Sequence, residues 1–328
     1  MVERSDLRPH LLVSRAEVYS GRPSALDDRR LRDWLGASNR LRAGGVAFIG
    51  FPCDAGVERN GGRPGAAMGP DAFRHMLARM TPDARNVEAF CDILDRSIDL
   101  GDVKAVGSDS GDIVADMQRA LGRVVEAVLR ADAIPFVVGG GHETTFGHYL
   151  GCAPVLSSPV VLNWDAHPDV RPLIDGKGHS GSSFRQIMDA DESVRYIVAG
   201  LNPFSTSAEH VDHVRSRGGV AIYQDEVDDL LVAHVFATLQ NDAIVSFDMD
   251  AVDSTAAPGV SAPSARGLGS REWLQIAELA GQTPRVRSVD VVELNPRFDA
   301  GGRTARLAAL TAWRFMRGLG LRYRGGAA

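Results

Sequence analysis

Two short strings hold most of the side chains in this sequence that could do chemistry. They are Asn163-Trp164-Asp165-Ala166-His167-Pro168-Asp169 and Ser246-Phe247-Asp248-Met249-Asp250-Ala251-Val252-Asp253, and each ends an apolar run. Side chains alternate along an extended backbone, so Asp165, His167 and Asp169 share one face in the first string, as do Asp248 and Asp250 in the second. Carboxylates crowded this way are very costly to bury unpaired, and metal coordination is the usual remedy. A third string, Gly139-Gly140-Gly141-His142-Glu143, adds an imidazole. The set His142, Asp165, His167, Asp169, Asp248 and Asp250 then holds four carboxylates and two imidazoles, enough charge to balance two divalent cations. Oxygen-rich ligation with some imidazole suits manganese, with zinc, cobalt and iron compatible by donor type. Two such ions can share one water, lower its pKa and present hydroxide at neutral pH, so the chemistry expected is hydrolysis.

Each string has a plainer reading. The glycine run would serve equally as a turn or a phosphate cradle, but it lacks the lysine and hydroxyl residue of a nucleotide-binding loop. The Asp165 string would pass for a solvated loop and the Asp248 string for a helix cap. Strict alternation of ligand-type residues behind an apolar strand weighs against both.

The elements that must position these residues show as short apolar runs bounded by turn residues. They lie at Val46 to Gly50, Ile134 to Val138, Val160 to Leu162, Tyr196 to Ala199, Ala243 to Phe247 and Val289 to Val292. Amphipathic stretches of helical period at Ile113 to Arg130, Glu226 to Leu239 and Arg303 to Arg317 alternate with them. The order predicts an α/β fold, a mainly parallel sheet with helices on both faces. His142, Asp165, Asp248 and Glu293 all fall just past strand ends, where open α/β sheets form their ligand crevice, so one shared site is expected.

The chain has 328 residues, 44% hydrophobic and 24% charged, and nothing in it reads as a linker. A single domain over 1–328 is expected, with 1–45 the least patterned part besides the C-terminal Gly-Gly-Ala-Ala. The net charge of -6 and the lack of a basic run argue against nucleic acid as a partner. No stretch approaches a membrane span and no leader is evident, so no membrane partner and a cytoplasmic location are expected. Cys53, Cys91 and Cys152 suggest neither a disulfide framework nor a zinc ribbon.

With these motifs placed, the chain resembles the arginase and agmatinase family of binuclear manganese ureohydrolases from about Val46 to Arg317. The resemblance implies an arginase-like three-layer α/β/α sandwich with two Mn2+ ions per subunit, and it maps the family's metal ligands onto the six residues named above. It maps the family's substrate-orienting glutamate onto Glu293 in Val-Val-Glu-Leu-Asn-Pro, and a proton-shuttling histidine onto His179. Relatives of this kind are commonly multimeric, so a homo-oligomer is implied. Within the family, Gly50 to Pro70, Ala257 to Gly267 and Asn295 to Arg306 look most like the formimidoylglutamase branch, whose members cleave an amidine to glutamate and formamide. The departures, Ser254 where many relatives have proline and Pro168 where threonine or phenylalanine is common, replace no ligand. The implied small-molecule amidine carries two carboxylates. Arg59, Arg63, Arg171 and Arg185 are candidate anchors for them, Glu293 for the cationic end, and Asp169 or His179 for moving the proton. The rival expectations are a guanidino substrate releasing urea and a metal-dependent binding protein without turnover.

Overall fold

The computed structural model describes residues 10–12, 16–19, 25, 28–36, 41–105 and 110–325, so much of the least patterned N-terminal segment and the last three residues lie outside the described residues. Nine strands form one sheet: β1 (Leu11–Leu12), β2 (Val46–Gly50), β3 (Ile98–Val103), β4 (Ile134–Val138), β5 (Val160–Trp164), β6 (Arg195–Leu201), β7 (Val220–Tyr223), β8 (Ala243–Asp248) and β9 (Val286–Val292). Their order is β1-β3-β2-β4-β9-β8-β5-β6-β7. Every pairing is parallel except that of β1 with β3.

The central strands are apolar throughout because both faces are covered. Val46, Phe48, Phe136, Leu162, Val245 and Val289 pack into one core, together with Phe73, Phe90, Trp273 and Phe315 from the helices Gly69–Leu77, Val87–Arg96, Ser270–Gln282 and Arg303–Gly325. The intervening residues Ala47, Ile49, Val137, Val161, Val198 and Ile244 point the other way. They meet Leu121, Val124, Tyr149, Phe184 and Val214 from the helices Ile113–Arg130, Thr144–Cys152, Ser183–Ala190 and Ala208–Ser216. Strand alternation thus produces the expected three-layer α/β/α sandwich.

Four of the six strands expected from sequence extend further than the apolar runs, while β2 and β4 match in full. The expected helix from Glu226 to Leu239 is instead a 3-10 turn, Gln224–Glu226, followed by a helix Asp229–Ala237. Asp228 breaks the two apart by capping the second, its Oδ1 accepting from the Leu231 N–H at 2.7 Å. The last helix runs on to Gly325, since Phe315, Met316 and Leu319 keep finding core.

Three strands escaped the pattern: β1, β3 and β7. The most instructive is β3, Ile-Asp-Leu-Gly-Asp-Val, whose Asp99 and Asp102 are both buried. Arg74 makes that possible, its Nε 2.7 Å from Asp99 and its Nη1 2.5 Å from Asp102. Among the described residues, no helix is long and apolar enough to cross a membrane.

Candidate metal centre and its cleft

The strand order brings the four motif-bearing strands side by side as β4, β9, β8 and β5. All run parallel, so His142, Glu293, Asp248 and Asp165 emerge at one edge of the sheet. There the sequence-predicted ligands converge in two groups whose donor atoms lie within 4.8 Å of one another: His142, Asp165, Asp169 and Asp248 in one, Asp165, His167 and Asp250 in the other. Asp165 belongs to both.

Nδ1 of His142 lies 2.9 Å from Asp248 Oδ2, 3.0 Å from Asp169 Oδ2 and 3.3 Å from Asp165 Oδ2. None of the three makes a well-formed hydrogen bond with it, and Nδ1 is left buried without a partner. Nδ1 of His167 sits 3.1 Å from Asp250 Oδ2 and 3.6 Å from Asp165 Oδ1. Asp250 Oδ1 is likewise buried and unpartnered. Donors aimed at a common point rather than at one another are what a cation requires, so these residues fit a pair of divalent metals.

The ligands are held by their neighbours. Asp165 accepts from Asn163 Nδ2 at 2.9 Å and from the His167 N–H at 2.7 Å, and Asp248 accepts from the Asp250 N–H at 2.8 Å. Asn163 also bonds the Tyr196 hydroxyl, which donates to the Pro168 carbonyl at 2.8 Å and so pins the loop carrying Asp169. Gly140 is required: a Cβ there would lie 1.8 Å from the Cys53 carbonyl oxygen. That close approach draws the loop after β2 against the loop bearing His142.

The charges repel strongly. Burial, then Asp250 and Asp165, push the Asp248 carboxyl well above its ordinary range, and burial raises Asp250 as well. Burial opposes charge on His167, yet Asp250 and Asp165 raise it to about 12. Glu293 is pushed up to about 8 by burial and then by Glu143 and Asp250. Cations at the two groups would relieve this repulsion. Asp169 and Glu293 also stand in left-handed backbone, at φ 47° and 64°. Such conformations cost of order 1 kcal/mol or more in non-glycine residues and cluster at functional sites.

A model described as the Arginase family matches residues 44–318. The chain belongs to the arginase family. Among relatives of this arginase-family chain, the formimidoylglutamase of Geobacillus thermodenitrificans is 34% identical over 321 residues, covering 90% of this chain and 93% of its own. That of Nocardia farcinica is 36% identical over 307 residues, covering 90% and 94%. The crystal structure of Trypanosoma cruzi formiminoglutamase with two Mn2+ ions superposes with a TM-score of 0.82 at 33% identity, covering 90% of this chain and all of that one.

Beside the metal ligands this arginase-family fold opens a cleft of about 180 Å³, onto which His167, Asp169, Asp248, Asp250 and Glu293 all face. A wider hollow of about 510 Å³ beside Asp228 and Glu272 contains none of them. Of the four candidate arginines, only Arg171 lines the cleft. Arg59 is spent on Asp112, 2.7 Å away, and on the Gly178 carbonyl. Arg63 donates to the Val260 and Ser261 carbonyls and stacks 4.1 Å over Phe298. Arg185 reaches the Val170 carbonyl and Asp189. These three bond other parts of the chain and do not line the cleft.

His179 does not line this cleft either. It is 1% exposed and has its Nε2 3.0 Å from the Pro172 carbonyl, while its Nδ1 is buried without a partner. The cleft instead contains Asn60, Ser180, Ser205, His210 and Ser261, which sequence reading missed. Burial, then the Arg171 guanidinium, hold His210 below its ordinary pKa. A signal was present: the polar run Ser205 to His210 follows β6, the strand next to β5.

Proposed function

We propose that this chain hydrolyses N-formimidoyl-L-glutamate to L-glutamate and formamide, with two Mn2+ ions held by His142, Asp165, Asp169 and Asp248 and by Asp165, His167 and Asp250. The observation that carries the reading is the pair of ligand groups joined at Asp165 and opening onto one cleft with Glu293 and Arg171. It is supported by likeness to formimidoylglutamases over nearly the whole chain.

When bound, the two divalent ions supply Lewis acidity and lower the pKa of water enough to give a hydroxide nucleophile near neutral pH. The protein's own residues bind and orient. Glu293 Oε1 accepts the His142 backbone N–H at 2.9 Å, while its Oε2 is buried without a partner. Oε2 is therefore the acceptor for an amidinium N–H, a charge-assisted hydrogen bond that locates the carbon to be attacked. Arg171, whose Nη1 is only loosely held by Asn60 Oδ1 at 3.3 Å, offers a guanidinium to the glutamyl carboxylates. Ser180, Ser205 and Asn60 add neutral donors beside it. Water adds to the amidine carbon, the bond from that carbon to the glutamyl nitrogen breaks, and Asp169 hands the departing nitrogen its proton.

NMR of products from Mn2+-loaded protein tests this. Glutamate with formamide from N-formimidoyl-glutamate is expected; urea from arginine, agmatine or guanidinobutyrate would move the chain to the guanidino branch. Homo-oligomeric assembly belongs to the same proposal, and a monomeric mass by light scattering would count against it.

A further inference from the structure

We propose that Arg59, anchored on Asp112, is a positioning residue that clamps the exposed loop 171–180, so that Arg171 and Ser180 stand in place in the cleft before substrate arrives. This inference rests on the substrate-binding reading of Arg171 above.

The loop has little of its own to hold it. Residues 171–177 are all exposed. Its tip is a two-residue turn in which Ile174 and Lys177 exchange backbone hydrogen bonds at 3.1 and 2.9 Å, with Asp175 and Gly176 both in left-handed backbone at φ 49° and 73°. Such a turn fixes its own shape and not the direction in which it points. At the base the Arg171 N–H donates to the Gly181 carbonyl at 2.8 Å, and His179 Nε2 lies 3.0 Å from the Pro172 carbonyl, so the two ends of the loop meet. A segment with few buried contacts opens at little cost unless something outside it ties it down.

The tie is the dipeptide Arg59-Asn60 at the end of the short helix Ala55–Arg59. The Arg59 guanidinium donates through Nη2 to Asp112 Oδ1 at 2.7 Å, through Nη1 to Asp112 Oδ2 at 3.3 Å, and through the same Nη1 to the Gly178 carbonyl. Asn60 takes two further points, Nδ2 donating to Ser180 Oγ at 3.1 Å and Oδ1 accepting from Arg171 Nη1 at 3.3 Å. Gly181 permits the approach, since a Cβ there would lie 2.9 Å from Asn60 Nδ2 and 3.0 Å from Arg171 Cδ.

The far end of the clamp is rigid. Asp112 caps the helix Ile113–Arg130, its Oδ1 accepting the Val114 N–H at 3.1 Å, and that helix is packed into the core through Leu121, Val124 and Val128. Burial would raise the Asp112 carboxyl, but Arg59, the Val114 N–H and the Lys177 ammonium of the loop itself hold it below its ordinary value. A guanidinium suits the task because its planar fork spans carboxylate and carbonyl together, where an ammonium is a single point charge. Arg59 therefore ties an exposed loop to a core helix. Arg171 held in this way loses less freedom when a carboxylate binds, and that saving appears as affinity.

The test combines hydrogen exchange with steady-state kinetics on the full chain. In Arg59→Met, which keeps the stem and removes the fork, amides 173–178 of the metal-free protein should exchange faster than in the wild type, while those of β4, β5 and β8 stay as protected. With Mn2+ supplied, KM for N-formimidoyl-glutamate should rise about tenfold with kcat little changed. In an Arg171→Ala background, Arg59→Met should add almost nothing to KM, which separates positioning from general damage. Unchanged exchange in the loop, or losses in KM that add in full, overturns the proposal. Should Arg59→Met fail to fold, Arg59→Lys is read the same way, since it keeps a cation beside Asp112 and lacks the fork. Loop exchange and KM as in the wild type would then overturn it. The exchange readout needs no turnover, so a wild type that releases no glutamate sinks the functional reading, while faster loop exchange in the variant leaves the clamp standing.

Discussion

At the scale of single residues, the proposed duties of Asp248, Glu293 and Arg171 can be separated by experiment. Asp248 is a candidate ligand whose Oδ2 lies 2.9 Å from His142 Nδ1. Asp248→Asn is expected to lower bound Mn2+, read by elemental analysis, and kcat/KM together; full metal content with wild-type turnover would remove Asp248 from the site. Glu293 touches no imidazole and aims Oε2 at the cleft. Glu293→Gln should therefore keep both ions and lose about 10²- to 10³-fold in kcat, the scale of one transition-state hydrogen bond to a charged group. Arg171→Ala should raise KM by roughly ten- to a hundredfold with kcat little changed, because a carboxylate far from the reacting carbon is bound equally in ground and transition states. A fall in kcat with KM unmoved would contradict that assignment.

At the scale of elements, β3 is the piece whose stability depends on electrostatics. Arg74 is 2% exposed and bridges Asp99 and Asp102, and the Tyr19 hydroxyl also donates to Asp99. Arg74→Met would leave two buried carboxylates without their cation and should cost about 3 to 5 kcal/mol in chemical denaturation. The same cluster sets an acid limit. Burial alone would raise the Asp99 carboxyl, but the charge and hydrogen bonds of Arg74 win and hold it below its ordinary value. A depressed folded pKa contributes stability that is complete above the unfolded value of about 3.9 and is lost as pH falls through the lower folded value. Wild-type stability should therefore decline below about pH 4, and that part of the decline should be absent in Arg74→Met.

For the whole molecule, the metals and the fold should be linked. Four carboxylates from the end of β8 and from the segments after β5 and β8 repel one another at the edge of the sheet, and ions that bind only the folded chain stabilise it in proportion to their saturation. At a hundredfold excess of Mn2+ over its dissociation constant the gain is about 2.7 kcal/mol, or roughly 4 °C in Tm for a chain of this length. Chelation should lower the melting temperature by that amount and Mn2+ should restore it; a Tm indifferent to chelator would mean that the ligand groups do not hold metal in the folded state.

The sequence by itself determined the candidate metal-ligand set and the central strands that carry it. Asp165, His167, Asp169, Asp248 and Asp250 stand out because carboxylates in strict alternation behind apolar strands have few uses besides a cation, and such strands announce themselves by their runs of Val, Ile and Phe. What only the tertiary structure decided was which polar residues face the cleft. Arg59, Arg63, Arg171 and Arg185 look alike in the chain, yet Arg59 and Arg63 bond carboxylate and carbonyls from distant segments, Arg185 bonds nearer neighbours, and Arg171 is left facing the cleft. His179 and His210 differ in exposure for the same reason, since His179 folds back on the Pro172 carbonyl while the segment after β6 presents His210 to the cleft. Asp99 and Asp102 hid β3 because the arginine that lets them be buried lies in a helix more than twenty residues earlier. Ligand identity follows from local spacing, whereas the partner that neutralises or exposes a charge comes from elsewhere in the chain, and only folding brings the two together.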